Sequence, residues 1–224
     1  MVRNPSTTVK ICGLMTTDII DGLQGLSIDQ VGFVFAASRR QVTPERAKEL
    51  IIQLKQTFEK DRCPLTVGVF VEPTIEQLSK VLALAPLDVI QLHGKEDAIF
   101  CKQVKDQFGK QVYKVVSIGQ GAEAIESTKA YLHPFRSVVD AILLDTAGGG
   151  TGKTFDWSVI PAYLDWAREA CIPLIIAGGL EPDNVAVLVE TYRPDGVDVS
   201  SGVETDGKKD PDKIKRFVER VKSV

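Results

Sequence analysis

The sequence predicts an α/β fold, a single (β/α)8 TIM barrel with eight parallel strands that occupies residues 1–224 as one domain. Eight short apolar runs alternate with helix-length segments, and alternation of this kind requires a parallel sheet. The runs are apolar nearly throughout, as in strands that are buried on both faces. No linker rich in Pro or Ser divides the chain, and eight such units match the size of a closed barrel. An open, doubly wound sheet is the alternative fold.

Each strand is predicted from a short, mostly apolar run. In chain order these runs are Thr8–Gly13, Gln30–Ala36, Leu65–Val71, Asp88–Gly94, Gln111–Ile118, Ala141–Thr146, Leu174–Gly179 and Gly196–Gly202.

The helices between the strands are predicted from capping residues and apolar periodicity. A proline at the first helical position supports the second helix and the last one. Ile51, Ile52 and Leu54 continue the apolar face of the second helix. The first predicted helix begins at a cap, Thr16 or Thr17, and runs to residue 25. The second begins at Thr43-Pro44-Glu45, and the last begins at Asp210-Pro211-Asp212. The five helices between them cover residues 75–85, 96–108, 122–132, 157–170 (capped by Asp156) and 182–191.

The composition excludes several classes of function. A formal net charge of -3 provides no attraction to nucleic acid or to an anionic membrane. No apolar run is long enough to span a bilayer, and residues 1–10 lack the apolar core of a signal peptide. The four cysteines are scattered without a CxxC pair, so we expect no metal site and no disulfide framework. We therefore expect a cytoplasmic protein in which Cys63, Cys101 and Cys171 are core or helix-packing residues.

The ends of the last two strands predict a phosphate site. Both strands end in small residues, which let backbone N–H groups approach an anion closely. In (β/α)8 barrels a phosphate site lies after strands seven and eight, at the N-terminus of a short extra helix. If a short helix starts just after Gly202, its N-terminal N–H groups point at the same place, and we expect a phosphorylated small molecule as the ligand. The candidate phosphate-binding residues are Gly178, Gly179, Ser200, Ser201 and Gly202.

Polar residues at the other strand ends predict chemistry beside this site. They supply a thiol, carboxylic acids and guanidinium groups, which suit acid–base catalysis on an anionic substrate. The alternative is that each is a turn former, a cap or a solvated charge. The residues concerned are Cys12 on strand one, Arg39 and Arg40 after strand two, Gln91 and His93 on strand four, Asp145 on strand six and Asp198 on strand eight.

A glycine-rich segment after strand six approaches the P-loop pattern GxxxxGK[ST]. It runs from Ala147 to Thr154, with alanine in place of the first glycine. In a P-loop the lysine and threonine open the next helix, whereas Asp156 predicts a later helix start here. We therefore interpret the glycines as a mobile lid beside Asp145 rather than as a nucleotide site.

Motifs along essentially the whole chain closely resemble those of the phosphoribosylanthranilate isomerase family. The strand-one and strand-eight motifs are specific together, whereas Gly178-Gly179 is shared by many phosphate-binding barrels. The matching motifs are Lys10–Gly13, Gly32–Phe35 with Ser38–Arg40, Gln91–Gly94, Leu143–Thr146, Gly150–Trp157, Ala177–Leu180 and Val197–Glu204.

The resemblance implies a (β/α)8 barrel of tryptophan biosynthesis. Its expected reaction is the Amadori rearrangement of N-(5-phosphoribosyl)anthranilate to 1-(o-carboxyphenylamino)-1-deoxyribulose 5-phosphate. By this likeness Asp145 is the general acid that opens the ribose ring, and Cys12 is the general base that removes the C2 proton. Arg40, or its neighbour Arg39, holds the anthranilate carboxylate. The iminium intermediate is itself the electron sink, so no metal or organic cofactor is expected.

These roles set conditions on two pKa values. A free thiol has a pKa of about 8.5, so Cys12 must have a lowered pKa or exploit the cationic intermediate. An unperturbed Asp has a pKa of about 3.9, so Asp145 needs a raised pKa to donate a proton near pH 7. Two alternatives of function stay open, a related sugar-phosphate isomerase with an aspartate base on strand one and a non-catalytic sensor of a phosphorylated metabolite. The protein can be a monomer or a homodimer.

Overall fold

In a computed structural model, which describes residues 7–118, 122–146 and 155–224, eight parallel strands form a closed barrel in sequence order. The predicted fold class is therefore confirmed. The strands are β1 Thr8–Cys12, β2 Gln30–Val34, β3 Leu65–Phe70, β4 Val89–Leu92, β5 Gln111–Ile118, β6 Ala141–Thr146, β7 Leu174–Ile176 and β8 Gly196–Val199.

A helix follows each strand and packs on the outside of the barrel. Proline occupies the first turn of the second and last helices, as predicted. The Asp210 carboxylate accepts hydrogen bonds from the first backbone N–H groups of the last helix. The helices are α1 Thr17–Gly22, α2 Pro44–Thr57, α3 Ile75–Leu84, α4 Ala98–Phe108, α5 Ala122–Leu132, α6 Ile160–Ala170, α7 Val185–Tyr192 and α8 Pro211–Lys222.

Several strands are shorter than predicted, because the chain turns out of the sheet at its small residues. β7 ends at Ile176, and Gly178 and Gly179 have φ values of +83° and +65°. These values lie in the left-handed region that glycine tolerates best. β8 likewise ends at Val199, before the two serines. The predicted phosphate-binding residues therefore lie in the loops after these strands.

No α-helix starts just after Gly202. A single 3-10 turn, Ser201–Val203, follows β8. The chain then forms a two-stranded antiparallel hairpin from β9 Glu204–Thr205 and β10 Lys208–Lys209. This hairpin brings charged side chains to the mouth of the barrel, where a helix would have presented backbone N–H groups.

The glycine-rich segment 147–154 lies outside the described residues, so the predicted lid is not tested. The start of the next helix is described. Asp156 accepts a hydrogen bond from Ser158 N (3.0 Å) and caps a 3-10 turn, Trp157–Val159, which leads into α6. The helix therefore begins after Asp156, as predicted, and not at the lysine and threonine of the P-loop-like pattern.

The main hydrophobic core lies between the strands and the helices, and a smaller one fills the barrel interior. Ile51 and Leu54 are buried in the main core, but Ile52 is 48% exposed, so its assignment to the apolar face of α2 is wrong. Cys101 is buried and Cys63 packs at the core edge. Cys171 is exposed at the end of α6 with φ +55°, which corrects its predicted packing role. Among the described residues no helix is long and apolar enough to cross a membrane.

Candidate active site

A cavity of about 400 Å³ opens at the carboxyl ends of the barrel strands. In (β/α)8 barrels this end carries the chemistry. A wider cavity of about 1280 Å³ lies at the opposite end, where barrel residues serve stability. The sequence-predicted residues that line the smaller cavity are Cys12, Arg40, Gln91, His93, Asp145, Gly178, Gly179, Asp198, Ser200 and Ser201.

Cys12 is the last residue of β1 and is only 7% exposed. Gly32 on β2 makes room for the thiol, since a Cβ at that position would lie 2.8 Å from Cys12 Sγ. Ser200 Oγ donates a hydrogen bond to the Cys12 carbonyl (3.1 Å). Burial raises the pKa of the thiol, and the nearby Lys10 ammonium offsets only part of this effect. Before ligand binds, Cys12 is therefore a thiol at neutral pH, and the condition of a lowered pKa is not met.

Asp145 lies near the carboxyl end of β6, buried in the wall of the same cavity. Thr146 N donates a hydrogen bond to its Oδ1 (2.7 Å), and His93 Nε2 lies 3.6 Å from its Oδ2. Burial raises the pKa of Asp145, which favours the protonated form that a general acid needs. Burial also lowers the pKa of His93, so the imidazole is neutral near pH 7.

Arg40 reaches into the cavity, whereas Arg39 does not line it. The Arg40 side chain is 12% exposed, and its Nε donates to Glu204 Oε1 (2.7 Å). Arg39 is half-exposed and donates to Glu204 and to the Gly207 carbonyl. Burial alone would raise the pKa of Glu204, but its hydrogen bonds and charge contacts with Arg40, Lys209 and Arg39 lower it to about 2. Of the two arginines that the sequence left open, Arg40 is therefore the one placed to meet a ligand in the cavity.

Glycines and serines of the last two loops also line the cavity. Asn184 Nδ2 donates to the Gly179 carbonyl (2.9 Å) and holds the first loop. Gly202 does not line the cavity. A Cβ at Gly202 would overlap the Leu180 carbonyl, so glycine is needed there for the close approach of the two loops. Gly202 therefore affects the shape of the site indirectly, by allowing the two loops to pack closely together.

Two buried oxygens at the cavity have no hydrogen-bond partner in the part of the chain that the structure describes. They are Gln91 Oε1 and Asp198 Oδ1, and both side chains line the cavity. Buried polar atoms without partners are rare in proteins. Both oxygens are acceptors, so a ligand rich in hydroxyl groups would satisfy them.

Sequence reasoning missed four polar residues around the site. Lys10 pairs with Asp198, Glu204 holds both arginines, Lys209 Nζ donates to the Ser200 carbonyl (2.8 Å), and Asn184 holds a phosphate-side loop. Lys10 carries a usable signal, because it stands two positions before Cys12 in an apolar strand and so shares its face. In the described ranges no group of three or more His, Cys, Asp or Glu side chains could hold a metal ion.

Comparison with known proteins gives one consistent result. Residues 9–220 match the sequence profile described as N-(5′-phosphoribosyl)anthranilate (PRA) isomerase. The chain is 46% identical over 221 residues to the N-(5′-phosphoribosyl)anthranilate isomerase of Brevibacillus brevis, a match that covers 97% of this chain and 94% of the relative.

Two solved structures are similar over the same extent. Monomers generated from the dimeric phosphoribosylanthranilate isomerase of Thermotoga maritima superpose with a TM-score of 0.78 at 35% identity, covering 97% of this chain and 100% of that one. A phosphoribosylanthranilate isomerase in complex with reduced 1-(o-carboxyphenylamino)-1-deoxyribulose 5-phosphate superposes with a TM-score of 0.77 at 34% identity, again over 97% and 100% of the chains.

Proposed function

The chain belongs to the N-(5′-phosphoribosyl)anthranilate isomerase family, and from that premise we propose how its cavity carries out the family's reaction. The enzyme is an isomerase of tryptophan biosynthesis. It converts N-(5-phosphoribosyl)anthranilate to 1-(o-carboxyphenylamino)-1-deoxyribulose 5-phosphate, an Amadori rearrangement. The proposal concerns the residues that bind the substrate and move its protons.

Asp145 starts the reaction as the general acid. Its carboxyl group donates a proton to the ribose ring oxygen, the bond between C1 and that oxygen breaks, and the anthranilate nitrogen forms an iminium ion with C1. The raised pKa of Asp145, caused by burial, supports this role. His93 Nε2 lies 3.6 Å from the carboxylate of Asp145 that remains after proton donation. As a neutral imidazole it helps to position this carboxylate without adding a positive charge.

Cys12 then removes the C2 proton as the general base. The electron pair of the C2–H bond forms a C1–C2 double bond and neutralises the iminium nitrogen. The resulting enamine tautomerises to the ketone. The iminium cation favours the thiolate form of Cys12 while it is present. Cys12 therefore exploits the cationic intermediate, which is one of the two conditions that the sequence set. The other condition, a lowered pKa, is not met in the unliganded protein.

The two ends of the substrate carry negative charge, and the cavity is lined by groups that suit each of them. Arg40 holds the anthranilate carboxylate. The backbone N–H groups of the loops at Gly178, Gly179, Ser200 and Ser201 hold the phosphate, and Gly202 keeps these loops close together. Gln91 and Asp198 accept hydrogen bonds from the ribose hydroxyls through the oxygens that have no partner among the described residues.

The observation that carries the proposal is that a thiol and a carboxyl group with a raised pKa line one cavity together with a largely buried arginine and the glycines and serines of the last two loops. A related sugar-phosphate isomerase with an aspartate base on strand one is disfavoured, because that position holds Cys12. A non-catalytic sensor is disfavoured by the family to which the chain belongs.

The test uses Cys12→Ala and Asp145→Ala, with Cys171→Ala as a matched control at an exposed cysteine. Turnover is followed by the loss of the fluorescence of the anthranilate-type substrate. We expect each site variant to lower kcat by about 10²-fold or more, the usual range for acid–base groups. Both should still bind reduced 1-(o-carboxyphenylamino)-1-deoxyribulose 5-phosphate. Near-normal turnover in either variant would remove that residue from the mechanism.

A further inference from the structure

Lys10 is a fully buried lysine on the inner face of β1. Its side chain is 2% exposed, and its Nζ lies 2.9 Å from Asp198 Oδ2 on the neighbouring strand β8. The strand register pairs the Cα atoms of Lys10 and Asp198 directly. Burial alone would lower the pKa of Lys10, but Asp198 and Cys12 outweigh this effect and raise it. The ammonium therefore stays protonated inside the barrel.

This ammonium also faces the thiol of Cys12. The two residues are two positions apart on β1, so their side chains share the inner face, and the ammonium interacts with the thiol as well as with Asp198. Lys10 Nζ has no well-directed hydrogen bond to any described residue. At least one of its N–H groups is therefore available to the sulfur.

The other charged groups that act on Cys12 do not supply the same contact. Asp198 is an anion and disfavours the thiolate. Lys209, on the hairpin after β8, is a cation, but its Nζ already donates to Glu204 Oε1 (2.9 Å) and to the Ser200 carbonyl (2.8 Å). Lys10 is thus the cation that acts most strongly on the sulfur, and its ammonium has no hydrogen-bond partner among the described residues.

We propose that Lys10 is a positioning residue that stabilises the thiolate of Cys12, with Asp198 anchoring the ammonium beside the sulfur. This inference rests on the proposed role of Cys12 as general base. The thiol loses its proton to solvent through the open cavity, and the thiolate that remains pairs with the ammonium. The thiolate then takes the C2 proton: the C–H bond breaks, an S–H bond forms, and the electron pair moves toward the iminium nitrogen. Lys10 keeps its own protons throughout.

A purely structural role explains the pair less well. Burying two charges is expensive, and replacing a buried ion pair by apolar side chains is often neutral or stabilising. A lysine at this inner position is therefore weak evidence for stability. A role in stabilising the neighbouring catalytic thiolate explains why the ammonium is buried here.

The test measures the thiol directly, without turnover. Alkylation of Cys12 by iodoacetamide is followed across pH in the unliganded enzyme, and peptide mass spectrometry separates Cys12 from the other three cysteines. In Lys10→Met we expect the pH midpoint of alkylation to rise by about one unit or more. One unit is a tenfold loss of thiolate at neutral pH, so kcat at pH 7 should fall about tenfold, KM should change little, and kcat should recover at higher pH.

Two further variants separate a charge effect from a folding effect. Lys10→Met with Asp198→Asn removes the pair without leaving a lone buried carboxylate, and the midpoint should stay above that of Asp198→Asn alone. Lys114→Met with Glu96→Gln removes another buried pair (2.8 Å), one that does not act on Cys12. It should leave the midpoint unchanged, whatever its effect on Tm.

An unchanged alkylation midpoint in both Lys10 variants would overturn the inference. This failure is distinct from a failure of the proposed function. Normal turnover in Cys12→Ala would remove the base itself, whereas the alkylation midpoint reports on the pair of Lys10 and Cys12 whatever the thiol does in turnover.

Discussion

Replacement of Gly178 by alanine tests the packing between the phosphate-side loop and the general acid. Gly178 has φ +83°, and a Cβ there would lie 2.8 Å from Thr146 N and 2.9 Å from Asp145 Oδ1. These separations are tighter than real Cβ contacts, so the loop and the carboxyl group must move apart by about 0.5 Å. A misplacement of 1 Å can lower the rate about 10²-fold. We therefore expect Gly178→Ala to lower kcat about tenfold.

The left-handed backbone adds a separate loss of stability. An L-residue in this region costs about 1–2 kcal/mol, which lowers Tm by about 2–8 °C in a chain of this size. Gly109→Ala is the matched control, because Gly109 has φ +60° and a Cβ there meets no heavy atom within 4 Å. It should lower Tm by a similar amount and leave kcat unchanged.

Substrate fluorescence gives kcat and KM for both glycine variants, and circular dichroism gives Tm. A Gly178→Ala enzyme with wild-type kcat and KM, and with the same loss of Tm as Gly109→Ala, would refute the coupling between this loop and Asp145.

Three further predictions concern charged residues of the site. Arg40→Ala should raise KM much more than Arg39→Ala, because only Arg40 lines the cavity; steady-state kinetics checks this, and equal effects would reject the choice. Asp145→Asn should raise Tm at pH 7, because burial makes the ionised carboxylate unfavourable. This gain should shrink as pH falls toward the unfolded value of about 3.9, since the folded pKa is raised. Glu204→Gln should lower Tm at pH 7, because the pKa of Glu204 is lowered to about 2. Its stabilisation is present above the unfolded pKa and is lost as pH falls toward the folded one, so thermal melts at low pH should show a smaller difference between the two proteins.

The order and type of the barrel elements could be predicted because each depends on a local pattern. Apolar runs, proline at first helical positions and capping side chains all act within a few residues. The strands β5 and β6 end where predicted, but several others end earlier. At β7 the left-handed φ values of Gly178 and Gly179 take the backbone out of the sheet. The structure of the segment after Gly202 could not be decided from the sequence. A short helix is a general feature of phosphate-binding barrels at this place, whereas here the segment forms a charged hairpin.

The cavity-lining residues could be predicted because the carboxyl ends of barrel strands meet at one place. The charged residues that hold these side chains in place could not be predicted. Lys10 and Asp198 are far apart in sequence and pair only through the register of β1 with β8. Glu204 meets Arg40 only because the hairpin folds over the barrel mouth. The direction of the pKa shift at Cys12 also depends on burial in three dimensions, so the sequence left that direction open.

The most direct test of the separate roles of Cys12 and Asp145 is the isotope effect on kcat for substrate carrying deuterium at the ribose C2. In Cys12→Ser proton removal from C2 becomes rate-limiting, so a large primary isotope effect is expected. In Asp145→Asn ring opening becomes rate-limiting, so the isotope effect should disappear. The reverse pattern, or the same isotope effect in both variants, would contradict the assignment of base to Cys12 and acid to Asp145.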